Sequence, residues 1–83
     1  MGMMKRFYES RVVRILYYSN GHNCQAMFKR NPDGTYKEGF EYRDGRGNVL
    51  ERTKLEGQYT IDEVLDNCNR LCENYETYMI TIE

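Results

Sequence analysis

The segment from Thr60 to Tyr75 is the part of the sequence that most limits the fold. Its apolar residues recur at steps of three and four, which is the spacing of one face of an α-helix. This stripe comprises Ile61, Val64, Leu65, Cys68, Leu71, Cys72 and Tyr75. Thr60 and Glu63 have the spacing of a capping box, which predicts where the helix begins. Because only one side of the helix is apolar, it must pack against a second layer.

The second layer is predicted to be an antiparallel sheet, because the residues before the helix alternate between apolar and polar. Turn sequences rich in Asn, Asp and Gly occur at 19–21, 31–34 and 44–48. They predict strands at 7–18, 23–30, 35–43 and 49–55, and alternation returns after the helix at 77–83. The predicted fold class is therefore α+β, a two-layer, four- to five-stranded meander (β-β-β-β-α-β) with one amphipathic helix on one face.

The first predicted strand is apolar on both faces, which is typical of a strand in the interior of a sheet. The last strand is therefore expected to pair with the first, giving the strand order 5-1-2-3-4. In the third strand, Glu38 interrupts an otherwise apolar inward set. Gly39 beside it predicts either a bulge or a neighbour packed close to the backbone. In the fourth strand, Val49, Thr53 and Leu55 are expected to point inward.

Length and composition limit the chain to a single domain spanning 1–83. A hydrophobic content of 40% is too high for a disordered chain, whereas a mean hydropathy of -0.85 is too low for a membrane protein. The first residues lack the apolar run of a signal peptide, so a cytoplasmic location without membrane contact is expected. The odd number of cysteines, 3, favours reduced thiols over a disulfide framework.

Candidate chemistry is limited to one histidine and the cysteines. His22, Cys24, Cys68 and Cys72 could together supply the four ligands of a tetrahedral zinc site. Their spacing differs from the usual tight pairing of zinc ligands, and both helix cysteines lie on the apolar stripe, which favours buried structural thiols. A thiol nucleophile would also lack an orienting third group. We therefore expect a non-enzymatic protein with no cofactor, and a thiol- or zinc-dependent protein is the weaker alternative.

Charge is distributed unevenly along the chain. Residues 1–56 carry eleven Lys/Arg and seven Asp/Glu, whereas residues 57–83 carry one and six, which gives a net +4 against -5. Five basic residues share the outward parity of the second to fourth strands, with Met27 among them. The predicted binding surface is Lys29, Lys37, Arg43, Arg52, Lys54 and Met27.

This basic face predicts a small binding or regulatory module that engages a macromolecular partner through the face or through a sheet edge. A protein partner with an acidic patch is the first expectation, and a nucleic acid held on the same face is the alternative. An ordinary solvated sheet face explains the same residues. Apolar residues on both faces of the first strand and an uncapped sheet edge also predict a homodimer.

One family likeness rests on NPDGTY at 31–36 and GQYTIDEVLDNCNRLCENY at 57–75. With the strands between them, these segments resemble the β-β-β-α-β pattern of HicB-type antitoxins, in which a Gly-x-Thr-x-x-Glu-Ala-Leu stretch opens the helix. The likeness covers residues 24–83, but Gln58 and Tyr59 make the spacing one residue longer. A Pro-Gly-Cys-like segment is missing from the third strand, and the N-terminal strand is extra. The resemblance implies a non-catalytic inhibitor that neutralises a partner.

Overall fold

The computed structural model describes residues 8–83, and its strands begin and end close to the turn sequences. The elements are β1 Val12–Ser19, β2 His22–Arg30, β3 Tyr36–Arg43, β4 Val49–Arg52, β5 Glu56–Tyr59, helix α1 Ile61–Asn74 and β6 Glu76–Ile82. The first strand therefore starts later than predicted, and Phe7, the first residue of that prediction, lies outside the described residues. Asn20 and Gly21 both have positive φ, 52° and 77°, as a type I′ hairpin turn between β1 and β2 requires.

The sheet is antiparallel and has the order β4-β3-β2-β1-β6, with β5 also paired to β3. The predicted fold class is confirmed. The predicted strand order is confirmed as well, since the last predicted strand corresponds to β6, and β6 pairs with β1. The prediction of one strand over 49–55 is wrong beyond Arg52. The chain instead leaves the sheet at 53–55, and β5 then pairs with β3 as a sixth strand that the sequence pattern did not indicate.

Helix α1 begins at the predicted capping box. The Glu63 backbone N–H donates to Thr60 Oγ1 at 3.2 Å, and the Thr60 N–H donates to Glu63 Oε1 at 3.1 Å. These reciprocal bonds satisfy two of the N–H groups that the first turn of a helix leaves without partners. Within residues 8–83, no helix is long and apolar enough to cross a membrane.

The core lies between α1 and one face of the sheet. Its buried residues are Val13, Ile15, Tyr17, Cys24, Ala26, Phe28, Tyr36, Val64 and Cys68. Cys72 is exposed, so the prediction that it is buried with Cys68 is wrong. The last turn of α1 lies where the chain passes into β6, the outermost strand on that side of the described sheet. Since no further described strand extends the core there, Cys72 borders an open depression instead.

Candidate binding surface on the open face of the sheet

Among the described residues, no helix packs on the face of the sheet opposite α1, and this face carries most of the residues predicted to bind a partner. In β2, Cys24, Ala26 and Phe28 point to the core, so the residues between them point the other way. Across β2 and β3, the directly opposite outward pairs are Lys29–Lys37, Met27–Gly39, Gln25–Glu41 and Asn23–Arg43. We call the surface formed by these residues, together with Arg52 on β4, the outer face.

Lys29 and Lys37 occupy directly opposite positions on β2 and β3. Like charges in this arrangement destabilise an antiparallel pair of strands. In the part of the chain that the structure describes, every salt bridge joins a glutamate to an arginine. Neither lysine therefore forms one. The two lysines therefore form a local positive charge on the outer face that no carboxylate of residues 8–83 neutralises in a salt bridge.

Arg43 and Arg52 share the outer face, but both bind the same carboxylate. Arg43 Nε lies 2.5 Å from Glu41 Oε1, and Arg52 Nη2 lies 2.8 Å from Glu41 Oε2. The hydrogen bond from Arg43 is the main cause that lowers the pKa of Glu41; partial burial opposes it, and the bond from Arg52 adds to it. Glu41 therefore stays ionised and offsets part of the positive charge that the sequence predicted for this face.

Lys54 and Leu55 lie in the crossover between β4 and β5, where neither has the strand position that the sequence predicted. Thr53 fastens this crossover to β3: its N–H donates to the Phe40 carbonyl at 2.9 Å, and its Oγ1 accepts from the Phe40 N–H at 2.7 Å. Lys54 is exposed. Leu55 was predicted to point inward, but it packs over Gly39 on the outer face.

The Leu55 packing explains the glycine in the middle of β3. Gly39 is outward by register, and a Cβ atom there would meet the Leu55 side chain. Of the two predictions for Gly39, the close neighbour is confirmed, and the pairing of β2 with β3 shows no bulge at this position. Gly39 therefore allows the crossover to lie flat against the sheet.

An open depression of about 290 Å³ lies beside this contact on the outer face. We call it the Leu55 pocket. Its apolar part is formed by Met27, Leu55 and the backbone of Gly39, and its polar rim includes Gln25, Glu41 and Arg52. Met27 is the apolar residue of the predicted binding surface. The structure places it between the lysine pair and the arginine-bound Glu41. Leu55 is the lining residue that the parity of the sequence missed.

Two tyrosines add an aromatic element to the same side of the sheet. The rings of Tyr18 and Tyr78 stack with centroids 4.5 Å apart, and both side chains are exposed. The alternation predicted over 77–83 puts Tyr78 on the same face as Ile80, but the pairing of β1 with β6 shifts register between Leu16 and Tyr17. A β-bulge of this kind changes which face a residue occupies.

The three cysteine thiols differ in their exposure to solvent. Cys24 and Cys68 are buried, and burial raises the pKa of the Cys68 thiol to about 12. The Cys24 thiol donates to the backbone carbonyl of His22 at 3.7 Å. Among residues 8–83, no group of three His, Cys, Asp or Glu side chains is placed to hold a metal ion. The four residues considered as zinc ligands are thus not brought together as a site.

The outermost strand β6 presents a second exposed surface. Four large side chains at this edge are exposed by 41% to 53%: Tyr75, Tyr78, Met79 and Ile80. No lysine or arginine occurs from Tyr75 to Glu83. We call this apolar strip the β6 edge.

In comparisons with known proteins, no family model matches the chain, and no curated protein or solved structure matches it. The likeness to HicB-type antitoxins is therefore a likeness of pattern alone.

Proposed function

We propose that this protein is a non-enzymatic binding module that holds an acidic segment of a protein partner on its outer face, as a small inhibitor or regulator would. The observation that carries the proposal is the pair of opposed lysines, Lys29 and Lys37, beside an apolar pocket. A like-charge pair costs stability in the free protein, and a bound carboxylate would remove that cost.

The arginines contribute to the same surface in a different way. Glu41 neutralises one of the two charges of Arg43 and Arg52. The two arginines therefore contribute fixed hydrogen-bond donors to the surface more than net charge. Reversing these arginines would place three carboxylates together and would destabilise the face as well as weaken binding. The lysines have no such partner within the described part of the chain, so they offer the cleaner test.

The test measures binding of a fluorescent poly-glutamate peptide to the double variant Lys29→Glu/Lys37→Glu by anisotropy at low salt. We expect this variant to lose binding while its unfolding midpoint stays close to that of the wild type, because two opposed carboxylates repel as two opposed lysines do. The matched control is Arg30→Glu/Arg46→Glu, which changes the net charge equally; Arg30 has core parity and Arg46 lies in a hairpin turn. Equal binding by wild type and lysine variant would mean that the outer face is only solvated.

A nucleic acid is the second candidate for the same face, and the Tyr18–Tyr78 stack favours it. Exposed aromatic rings on a basic sheet can stack with the bases of a single strand. The same titration with a labelled thymidine oligonucleotide separates the two candidates. A nucleic acid partner requires log-linear salt dependence and loss of binding in Tyr18→Ala, whereas the peptide should be insensitive to that substitution.

The β6 edge supports a further proposal, self-association into a homodimer. An apolar edge strand whose one charged residue, Glu76, lies at its end can pair with a second copy of itself, because antiparallel pairing about the middle of the strand keeps the two Glu76 side chains apart. Such pairing would place both outer faces on the same side of a continuous sheet and would double the surface offered to a partner.

A further inference from the structure

The Leu55 pocket lies between two groups of positive charge. Along the outward side of β2 and β3, the Met27–Gly39 pair is followed on one side by Lys29–Lys37 and on the other by Gln25–Glu41. Glu41 in turn forms salt bridges with Arg43 and Arg52. Four cations and one carboxylate give this part of the outer face a net charge of +3. An apolar pocket with positive charge at both ends is complementary to an apolar side chain flanked by acidic ones.

The spacing of these groups matches an extended peptide. Successive outward pairs on a strand are two residues apart, which corresponds to about 6.6 Å. Side chains at alternate positions of an extended peptide point the same way with the same spacing. A peptide lying along β2 and β3 can therefore place one side chain in the pocket and one carboxylate near each cationic group.

We propose that the Leu55 pocket receives a leucine-sized side chain from an extended acidic segment of the pattern acidic-x-apolar-x-acidic. This inference rests on the proposed function and specifies which acidic segments the outer face accepts. The volume of about 290 Å³ is at the lower end of ligand-pocket sizes and suits one side chain. One carboxylate pairs with Lys29 and Lys37, and the other approaches Arg52 beside Glu41.

Two synthetic peptides test the pocket by titration against the 15N-labelled protein at low salt. The first is Gly-Ser-Glu-Ser-Leu-Ser-Glu-Ser-Gly, and the second has Ala in place of Leu. We expect the leucine peptide to bind about tenfold tighter, because burying the additional methyl groups contributes favourably. Its binding should shift the amide signals of Met27, Gly39 and Leu55. A leucine peptide with Lys in place of both Glu residues should not bind.

Variants then separate the pocket from the charge. Met27→Thr should abolish the preference for leucine over alanine, whereas Met79→Thr, the same change on the outward side of β6, should leave it intact. Lys29→Gln/Lys37→Gln should weaken both acidic peptides equally and preserve their ratio. If Met27→Thr loses a dispersed spectrum, Leu55→Ala serves as the second pocket variant.

The outcomes distinguish the two levels of the proposal. Equal affinity for the leucine and alanine peptides, or a leucine preference that survives in the pocket variant, would overturn the pocket and leave the acidic partner in place. Failure of both acidic peptides to shift any outer-face signal would overturn the proposed function together with the pocket.

Discussion

Leu55 lies so close to the backbone of Gly39 that a Cβ atom at position 39 would be 2.9 Å from Leu55 Cδ2 and 3.2 Å from its Cγ. This contact joins the crossover between β4 and β5 to the middle of β3. It also forms one wall of the Leu55 pocket. The absence of a side chain at one position thus decides both where a crossover lies and where a pocket opens.

Gly39→Ala should destabilise the protein by about 1 kcal/mol, because the added methyl group must displace Leu55 from a packed position. In a domain of this size, that corresponds to a fall of about 4–8 °C in Tm. Gly45→Ala is the matched control, since Gly45 lies in a hairpin turn with no atom within 4 Å of its added Cβ and no positive φ. Urea unfolding of both variants measures the difference, and equal stability would contradict the packing described here.

The cysteines should differ sharply in reactivity. Cys72 is exposed and should react quickly with iodoacetamide in the folded protein, whereas Cys24 and Cys68 should react only after unfolding. The raised pKa of Cys68, about 12, further lowers its thiolate fraction at neutral pH. Mass spectrometry of tryptic peptides over a time course measures the order. Rapid labelling of Cys68 in the native state would show that α1 is not packed as described.

Substitution of the same cysteines tests the packing energetically. Cys68→Ser should cost about 1–3 kcal/mol, because it buries a hydroxyl group without an arranged partner. Cys72→Ser, one helical turn away, should change the unfolding free energy by less than about 0.5 kcal/mol. Comparable losses for both variants would restore the original expectation that the two thiols share the core.

Glu38 should make stability depend on pH in the direction opposite to Glu41. Burial raises the pKa of Glu38 above its ordinary value of 4.5, and Arg70 only partly opposes this. The folded state therefore favours the neutral acid, and this contribution is lost as pH rises through the raised pKa. Glu38→Gln should accordingly raise Tm at pH 7, with the gain disappearing in acid.

Glu41→Gln is the control with the opposite sign. The lowered pKa of Glu41 means that its contribution is present at neutral pH and is lost as pH falls through that pKa. Its replacement should lower Tm at pH 7 and have less effect in acid. Thermal unfolding of the three proteins from pH 3 to pH 8 compares these trends, and parallel curves would contradict both assignments.

The β6 edge predicts the oligomeric state. Wild-type protein at high concentration should have about twice the chain mass of 10.0 kDa in light scattering. Ile80→Lys should return it to the monomer, because a charged edge residue opposes strand pairing. Leu50→Lys changes a comparably exposed side chain on β4 and should leave the dimer intact. A wild-type monomer at every concentration would reject self-association through β6.

Signals between residues close in sequence were sufficient to predict most of the fold. The capping box of Thr60 and Glu63, the Asn20-Gly21 turn and the change of period at the helix act over a few residues. The strand order also followed, because a strand that is apolar on both faces must lie inside the sheet. The basic residues of the outer face were predicted from the same alternation.

Only the tertiary structure decided how those residues combine. Alternation continues through Leu55 in the sequence, yet the chain leaves the sheet at 53–55 because Thr53 bonds to Phe40 and Gly39 leaves room for Leu55. The pairing of Arg43 and Arg52 with one carboxylate depends on strand register and side-chain packing. The sequence by itself therefore determined the helix, the turns and the faces of β1, β2 and β3. The pocket, the arginine-bound Glu41 and the exposed Cys72 depend on contacts between distant segments, which local periodicity does not encode.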